Sequence, residues 1–168
     1  MLHDIRLDPL SEADFDVVAD LADRIWRSHY ITLISMAQID YMLEGRYAPE
    51  RLRGYVASQA RWLWVLRVDG VPAGYCSCSL CDDADARKLE QMDLLAEYHG
   101  KGLGGGMLRH VEAKTHELGR TRLYLTVNKG NAGSIAVYLK SGFVVREEAV
   151  FDIGNGYVMD DYVMEKRL

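Results

Sequence analysis

The residues from His99 to Leu108 read HGKGLGGGML, with five glycines between Gly100 and Gly106. Glycine loses more backbone freedom on folding than any other residue, so so dense a cluster needs a cause. A strand-like run, ARKLEQMDLL, precedes it and a helical pattern follows at once. A tight strand-to-helix turn needs one or two glycines, not five. At a helix N-terminus the first N–H groups lack backbone partners and the helix dipole favours negative charge. Glycines let those N–H groups curl inward and let a phosphate approach without a Cβ in the way. The chemistry this stretch fits is phosphate binding by backbone.

Two well-known phosphate loops do not fit. No lysine followed by Ser or Thr comes after the glycines, so the Walker pattern fails. Gly100, Gly102 and Gly105 satisfy G-x-G-x-x-G, but the next strand ends in TVN without the acid that would hold a dinucleotide's ribose. Downstream, NAGSIAVYLKSGF sets Asn131, Tyr138, Gly142 and Phe143 along a short helix and its exit. Upstream, Glu90 and Asp93 lie on the strand entering the glycines. Alternation puts Glu90 on the face of Leu94 and Asp93 on the other. The run CSCSLC holds Cys76, Cys78 and Cys81. Three thiols in a strand-like run, without a fourth ligand, read as buried free cysteines, and no metal is expected.

Together the two motifs resemble the GNAT superfamily of acyl-CoA-dependent N-acetyltransferases. That family's pyrophosphate loop runs Gln or Arg, two residues, Gly, one residue, Gly or Ala. Here His99 stands at the Gln/Arg position, followed by Gly102 and Gly104. The family's second signature, Asn, six residues, Tyr, three residues, Gly-Phe, is matched by Asn131, Tyr138, Gly142 and Phe143. The segment from Lys88 to Phe143 carries the likeness, and KLEQMDLLAEYHGKGLG is similar to the corresponding part of bacterial polyamine acetyltransferases.

The resemblance implies acetyl-CoA as co-substrate. Its pyrophosphate would sit on the N–H groups of Lys101, Gly102, Leu103, Gly104, Gly105 and Gly106, beside His99. Its pantetheine amides would pair with the strand at Leu94, Leu95 and Ala96, and Asn131 would contact the arm. A backbone N–H near Leu94 would stabilise the oxyanion formed when an amine attacks the thioester. The resemblance makes Tyr138 the acid that protonates the leaving thiolate, its ionisation shaping the high-pH limb of the rate profile, and Glu90 the base that takes the amine's proton. The first two helices would wall the acceptor site, where Trp26, Tyr30, Tyr41 and Glu44 suit a cationic amine. A small amine such as a polyamine or amino compound is the expected acceptor. A protein N-terminus, or acyl-CoA sensing without turnover, are the alternatives.

The elements that must position these residues follow from pattern and punctuation. HDIRLD reads as a strand, and Ser11 caps a long helix with Phe15, Val18, Leu21, Ala22 and Ile25 on one stripe. SMAQIDYMLEGRY is a second helix, and Pro49 opens a third over PERLRGYVASQ. WLWVLRVDG and VPAGYCSCSL form a hairpin about Asp69-Gly70. The glycine-headed helix stops at Gly119; RLYLTVN is a strand and AGSIAVYLKSG a helix. FVVREEAVF and YVMDDYVMEKRL are closing strands, expected at a sheet edge where a second copy would cover them in a homodimer. The order β-α-α-α-β-β-β-α-β-α-β-β predicts one α/β domain over residues 1–168. Its sheet should be mixed, mostly antiparallel, of about seven strands, splayed at the centre as in GNAT proteins and flanked by helices.

Composition sets the outer limits. The chain has 168 residues, 49% hydrophobic and 27% charged, with a net charge of −5. That balance argues against a nucleic-acid partner and suits a cationic substrate. No apolar run approaches a membrane span, and the N-terminus MLHDIRLDPL lacks a signal peptide's apolar segment, so a cytoplasmic protein is expected.

Overall fold

A computed structural model describes residues 3–168. Strand β1 (Ile5–Pro9) leads through a single 3-10 turn, where the Ser11 N–H donates to the Asp14 carboxylate at 3.2 Å, into helix α1 (Phe15–His29). The expected stripe of Phe15, Val18, Leu21, Ala22 and Ile25 is buried, and Trp26 joins it. Helix α2 (Met36–Tyr47) is capped by Ser35, whose Oγ accepts the Gln38 N–H at 3.1 Å. Helix α3 runs only Pro49–Leu52 before a 3-10 turn, shorter than the pattern suggested, because the chain turns extended at Val56. Strands β2 (Arg61–Val68) and β3 (Val71–Leu80) form the hairpin, with positive φ at both Asp69 and Gly70 as a two-residue type I′ turn requires. Then come β4 (Ala86–Leu94), α4 (Leu103–Glu117), β5 (Arg122–Asn128), α5 (Ala132–Lys140), β6 (Val144–Gly154) and β7 (Tyr157–Arg167).

The seven strands make one sheet in the order β1-β2-β3-β4-β5-β7-β6. Every neighbouring pair is antiparallel except β4 and β5. Those two are parallel and pair only where Ala86, Arg87 and Lys88 meet Arg122, Leu123 and Tyr124. Beyond Lys88 they diverge, so the sheet is splayed at its centre. One core lies between the sheet and α1 and α2, with Val18, Leu21, Ile39 and Tyr75 fully buried. The other lies against α4, with Met107, Leu108, Val111, Leu123 and Leu125. The closing strands do not both reach an edge: β7 is interior and β6 is the edge strand. Among the described residues no helix is long and apolar enough to cross a membrane.

Strand β4 departs from simple alternation. Ser77 of β3 stands opposite Gln91, but the next residue, Cys78, stands opposite Leu89, so Glu90 is an extra residue in a β-bulge. Leu89 and Met92 therefore both pack on the α4 side although three residues apart. Glu90 and Gln91 both face the α1 side, where they meet Ser79 and Ser77 at 2.6 and 2.9 Å. Asp93 stands opposite Tyr75 on that same face. The expected pairing of faces is thus corrected: Glu90 shares its face with Asp93, not with Leu94. On the α4 side, Cys76 and Cys78 are buried and burial pushes both thiols up, Cys78 to about 12; Cys81 is half-buried.

Candidate active site

The glycine loop divides its labour. Gly100 and Gly102 adopt positive φ, +75° and +78°, and Gly102 is the residue that caps α4. Gly104, Gly105 and Gly106 are already helical. The Gly106 N–H donates to the Gly102 carbonyl at 3.1 Å, the first bond of the helix. It is therefore not a free donor, contrary to expectation. The N–H groups of Leu103, Gly104 and Gly105 precede that bond, and with those of Lys101 and Gly102 they have no backbone partner among the described residues. Among the described residues, nothing beyond its chain neighbours and its own helix backbone lies within 4 Å of where a Gly104 Cβ would stand. Glycine there is not demanded by the protein's own packing, whereas a phosphate lying on these N–H groups would demand it. The loop fits a pyrophosphate.

The end of β4 supplies one free backbone edge. The Leu95 N–H donates to the Ala73 carbonyl at 2.9 Å. By antiparallel alternation, Leu95, Asp93 and Gln91 turn their N–H groups to β3, while Leu94 and Met92 turn theirs toward the gap. Of the expected pairing stretch, the Leu95 N–H is taken, while the Ala96 N–H, like that of Leu94 on the free edge, has no backbone partner among the described residues. Leu95 is buried, and its carbonyl accepts the Tyr98 N–H at 2.9 Å; the Ala96 carbonyl accepts the His99 N–H at 3.1 Å in a 3-10 turn. The His99 side chain folds back so that its Nε2 lies 2.9 Å from the Leu94 carbonyl. At the position where Gln or Arg is usual, the imidazole thus closes the end of β4.

A cavity of about 290 Å³ opens between the diverging strands. Tyr138 lines it from α5, with its ring 5.8 Å from that of Phe143. Burial, and secondarily the charge of Asp93, raises the Tyr138 pKa well above that of a free phenol. Its proton is therefore held more tightly than that of a free phenol. Asn131 also lines the cavity; its Oδ1 caps α5 through the Ser134 N–H at 3.5 Å and lies 3.0 Å from His29 Nε2 of α1.

Three carboxylates line the same space: Glu90, Asp93 and Asp161. Glu90 is half-buried, bonded to Ser79 and 3.5 Å from the Lys88 ammonium. Asp93 is buried near Tyr30, Tyr47, Tyr75 and Tyr138, whose pKa values are raised by their burial and further by its charge. Burial raises its own pKa, opposed by Tyr75, Arg46, His29 and Trp26. Asp161, on β7, has its pKa raised to about 6, chiefly by burial.

Of the expected acceptor residues, Trp26 and Tyr30 line the cavity with their rings 4.5 Å apart. Tyr41 and Glu44 do not. Tyr41 donates to the Ile153 carbonyl at 2.7 Å and so ties α2 to the β6–β7 hairpin. Glu44 is exposed beside α1, because its position on α2 points away from the sheet. Two lining residues that the sequence reading did not single out are Arg46, over the Trp26 ring at 5.4 Å, and Asp161. In VMDDYVM, alternation with buried Met159 and Val163 was the available signal for Asp161.

Comparison with known proteins agrees with this geometry. The profile of the acetyltransferase (GNAT) family matches residues 21–143. An uncharacterized N-acetyltransferase of Mycobacterium tuberculosis is 28% identical over 155 residues, covering 92% of this chain and 98% of that protein. A spermidine N(1)-acetyltransferase of Thermoplasma acidophilum is 23% identical over 167 residues, covering 97% of each. The crystal structure of a PaiA N-acetyltransferase of Thermoplasma acidophilum in complex with coenzyme A superposes with a TM-score of 0.82 at 22% identity, covering the whole of both chains.

Proposed function

The chain belongs to the GNAT acetyltransferase family, and on that premise we propose that it is a cytoplasmic enzyme acetylating a primary amine of a small molecule such as a polyamine or amino compound. It is an acyl-CoA-dependent N-acetyltransferase, with acetyl-CoA as co-substrate. The observation that carries the residue assignments is the row of unpartnered N–H groups from Lys101 to Gly105, beside the free edge of β4 at Leu94. The Leu103, Gly104 and Gly105 amides, with Lys101 and Gly102, hold the pyrophosphate; Asn131 and the Leu94 edge hold the arm. When bound, acetyl-CoA supplies a thioester whose carbonyl is attacked by the amine and whose thiolate leaves.

The Leu94 N–H faces the gap and stabilises the oxyanion. Tyr138 gives the thiolate its proton, and its raised pKa keeps that proton in place until it is needed. Glu90 takes the amine's proton, through a water. A second reading gives this task to Asp93, favoured by its burial beside Tyr138 and by the raised pKa that burial gives it. The small cavity, lined by the Trp26, Tyr30 and Tyr138 rings, supports a small amine over a protein N-terminus. The exposed apolar residues of β6, Val144, Val145, Val150 and Phe151, support pairing with a second copy at that edge.

Tyr138→Phe tests the mechanism by release of free CoA from acetyl-CoA with a panel of amines. Turnover should fall by roughly 10²–10⁴-fold while CoA affinity holds. Turnover near the wild-type rate would show that another group protonates the thiolate. In the same assay Glu90→Gln and Asp93→Asn identify the base, as the variant that loses most activity at the low-pH end.

A further inference from the structure

Asp161 is 5% exposed, and no hydrogen bond or ion pair reaches its carboxylate among the described residues; its Oδ1 is buried and unpartnered. A buried carboxylate without a donor is costly, and the cost is removed when a cation arrives. The other charged groups of the cavity are placed differently. Lys88 is paired with Glu90, and Arg46 lies over Trp26. Asp161 stands opposite Asn128 at the far end of β5, so β5 and the gap separate it from Asp93 on β4. Two strand spacings make that at least about 10 Å between backbones, widened by the splay. β5 lines the cavity between the two carboxylates, through Leu125, Thr126, Val127 and Asn128; Met159 lies on the strand of Asp161 itself, and Phe151 and Ile153 lie on β6 beyond it.

We propose that Asp161 binds a second, non-reacting ammonium of the acceptor, so that the enzyme is selective for diamines and polyamines over monoamines. The proposal rests on the small-amine reading given above. One amine, deprotonated, meets the thioester beside Leu94 and Tyr138. The methylenes cross the β5 segment from Leu125 to Asn128, and the remaining ammonium pairs with Asp161. A diamine in its reactive form carries one positive charge, which the buried, unpartnered Asp161 carboxylate would neutralise. Asp161 touches the acceptor without touching the reacting atoms, and its role is specificity.

The test compares α,ω-diamines from 1,3-diaminopropane to 1,8-diaminooctane, each with the n-alkylamine of equal length, by kcat/KM for CoA release. A charge-assisted contact predicts that the best diamine exceeds its monoamine by about tenfold to 150-fold in the wild-type enzyme. In Asp161→Asn the preference should fall to within about threefold of unity. Asp161→Ser serves if the asparagine variant does not fold. A merely structural role would lower both amines together and leave the ratio standing. Wild-type use of both amines with equal efficiency, or a ratio unchanged in the folded variant, would overturn the proposal while leaving the acetyltransferase reading intact. Release of CoA with neither amine would overturn the small-amine reading and this proposal with it.

Discussion

Replacing Asp161 by asparagine should stabilise the protein near neutral pH and lose that advantage in acid. Burial moves the Asp161 pKa from 3.8 to about 6, against Arg46 and Lys88 and with a push from Asp160. Between those values the folded state binds the proton more tightly than the unfolded chain. Wild-type stability therefore falls as pH rises through this window, and the whole cost is present above the folded pKa. A shift of about two units is about 3 kcal/mol before allowance for screening, and solvent in the cavity brings it to about 1–2 kcal/mol. Asparagine keeps the shape and removes the charge. Urea unfolding should show the variant more stable by about 1–2 kcal/mol near pH 7.5 and by about half as much near pH 5. The corresponding rise in thermal midpoint near neutral pH is about 2–6 °C. A stabilisation equal at both pH values would refute the linkage, and a variant less stable near neutral pH would show that the carboxylate has a donor after all.

Gly104→Val should fold normally, since among the described residues no atom outside its own helix turn lies within 4 Å of the new Cβ, yet calorimetry should show CoA affinity reduced more than about tenfold as the side chain meets the pyrophosphate. Unchanged affinity in the folded variant would remove the loop from the site. Gly74→Ala should do the opposite: its Cβ would stand 2.3 Å from the Asp93 carbonyl oxygen and 3.2 Å from the Leu94 Cα. Because backbone must move, denaturant unfolding should show a loss of about 1–3 kcal/mol or more, and an unaltered midpoint would contradict the close approach of β3 and β4.

Much of this architecture is legible in local pattern. The α1 stripe, the second helix over SMAQIDYMLEGRY, the Asp69-Gly70 turn and the glycine-headed helix all follow from short-range rules, and the structure places each where those rules put it. The positive φ at Gly100 and Gly102, and the helical state of the next three glycines, need the loop's three-dimensional path and could not be separated by composition. The site carboxylates were harder. Counting alternate residues along β4 fails at Glu90, because a bulge is set by pairing with β3 and leaves no residue-type signature. Glu90 was thereby assigned to the face of Leu94 instead of that of Asp93. Asp161 enters the cavity only because β7 inserts between β5 and β6, a strand order that sequence proximity does not imply. Tyr41 and Glu44 were plausible by type, but α2 turns one to the β6–β7 hairpin and the other to solvent.

The three-residue contact between β4 and β5 makes the middle of the sheet its most compliant line. On one side stand four strands clamped by successive antiparallel ladders, and on the other three. Past Lys88 no ladder bond spans the seam, so the halves can flex about the Ala86–Lys88 end much as a book flexes about its spine, stretching side-chain packing without breaking a ladder bond. A rod-like molecule with amides along its length, laid into the open end, would act as a splint. The enzyme's stiffness would then depend on whether the slot is filled, with the softest part of the free protein becoming a braced one.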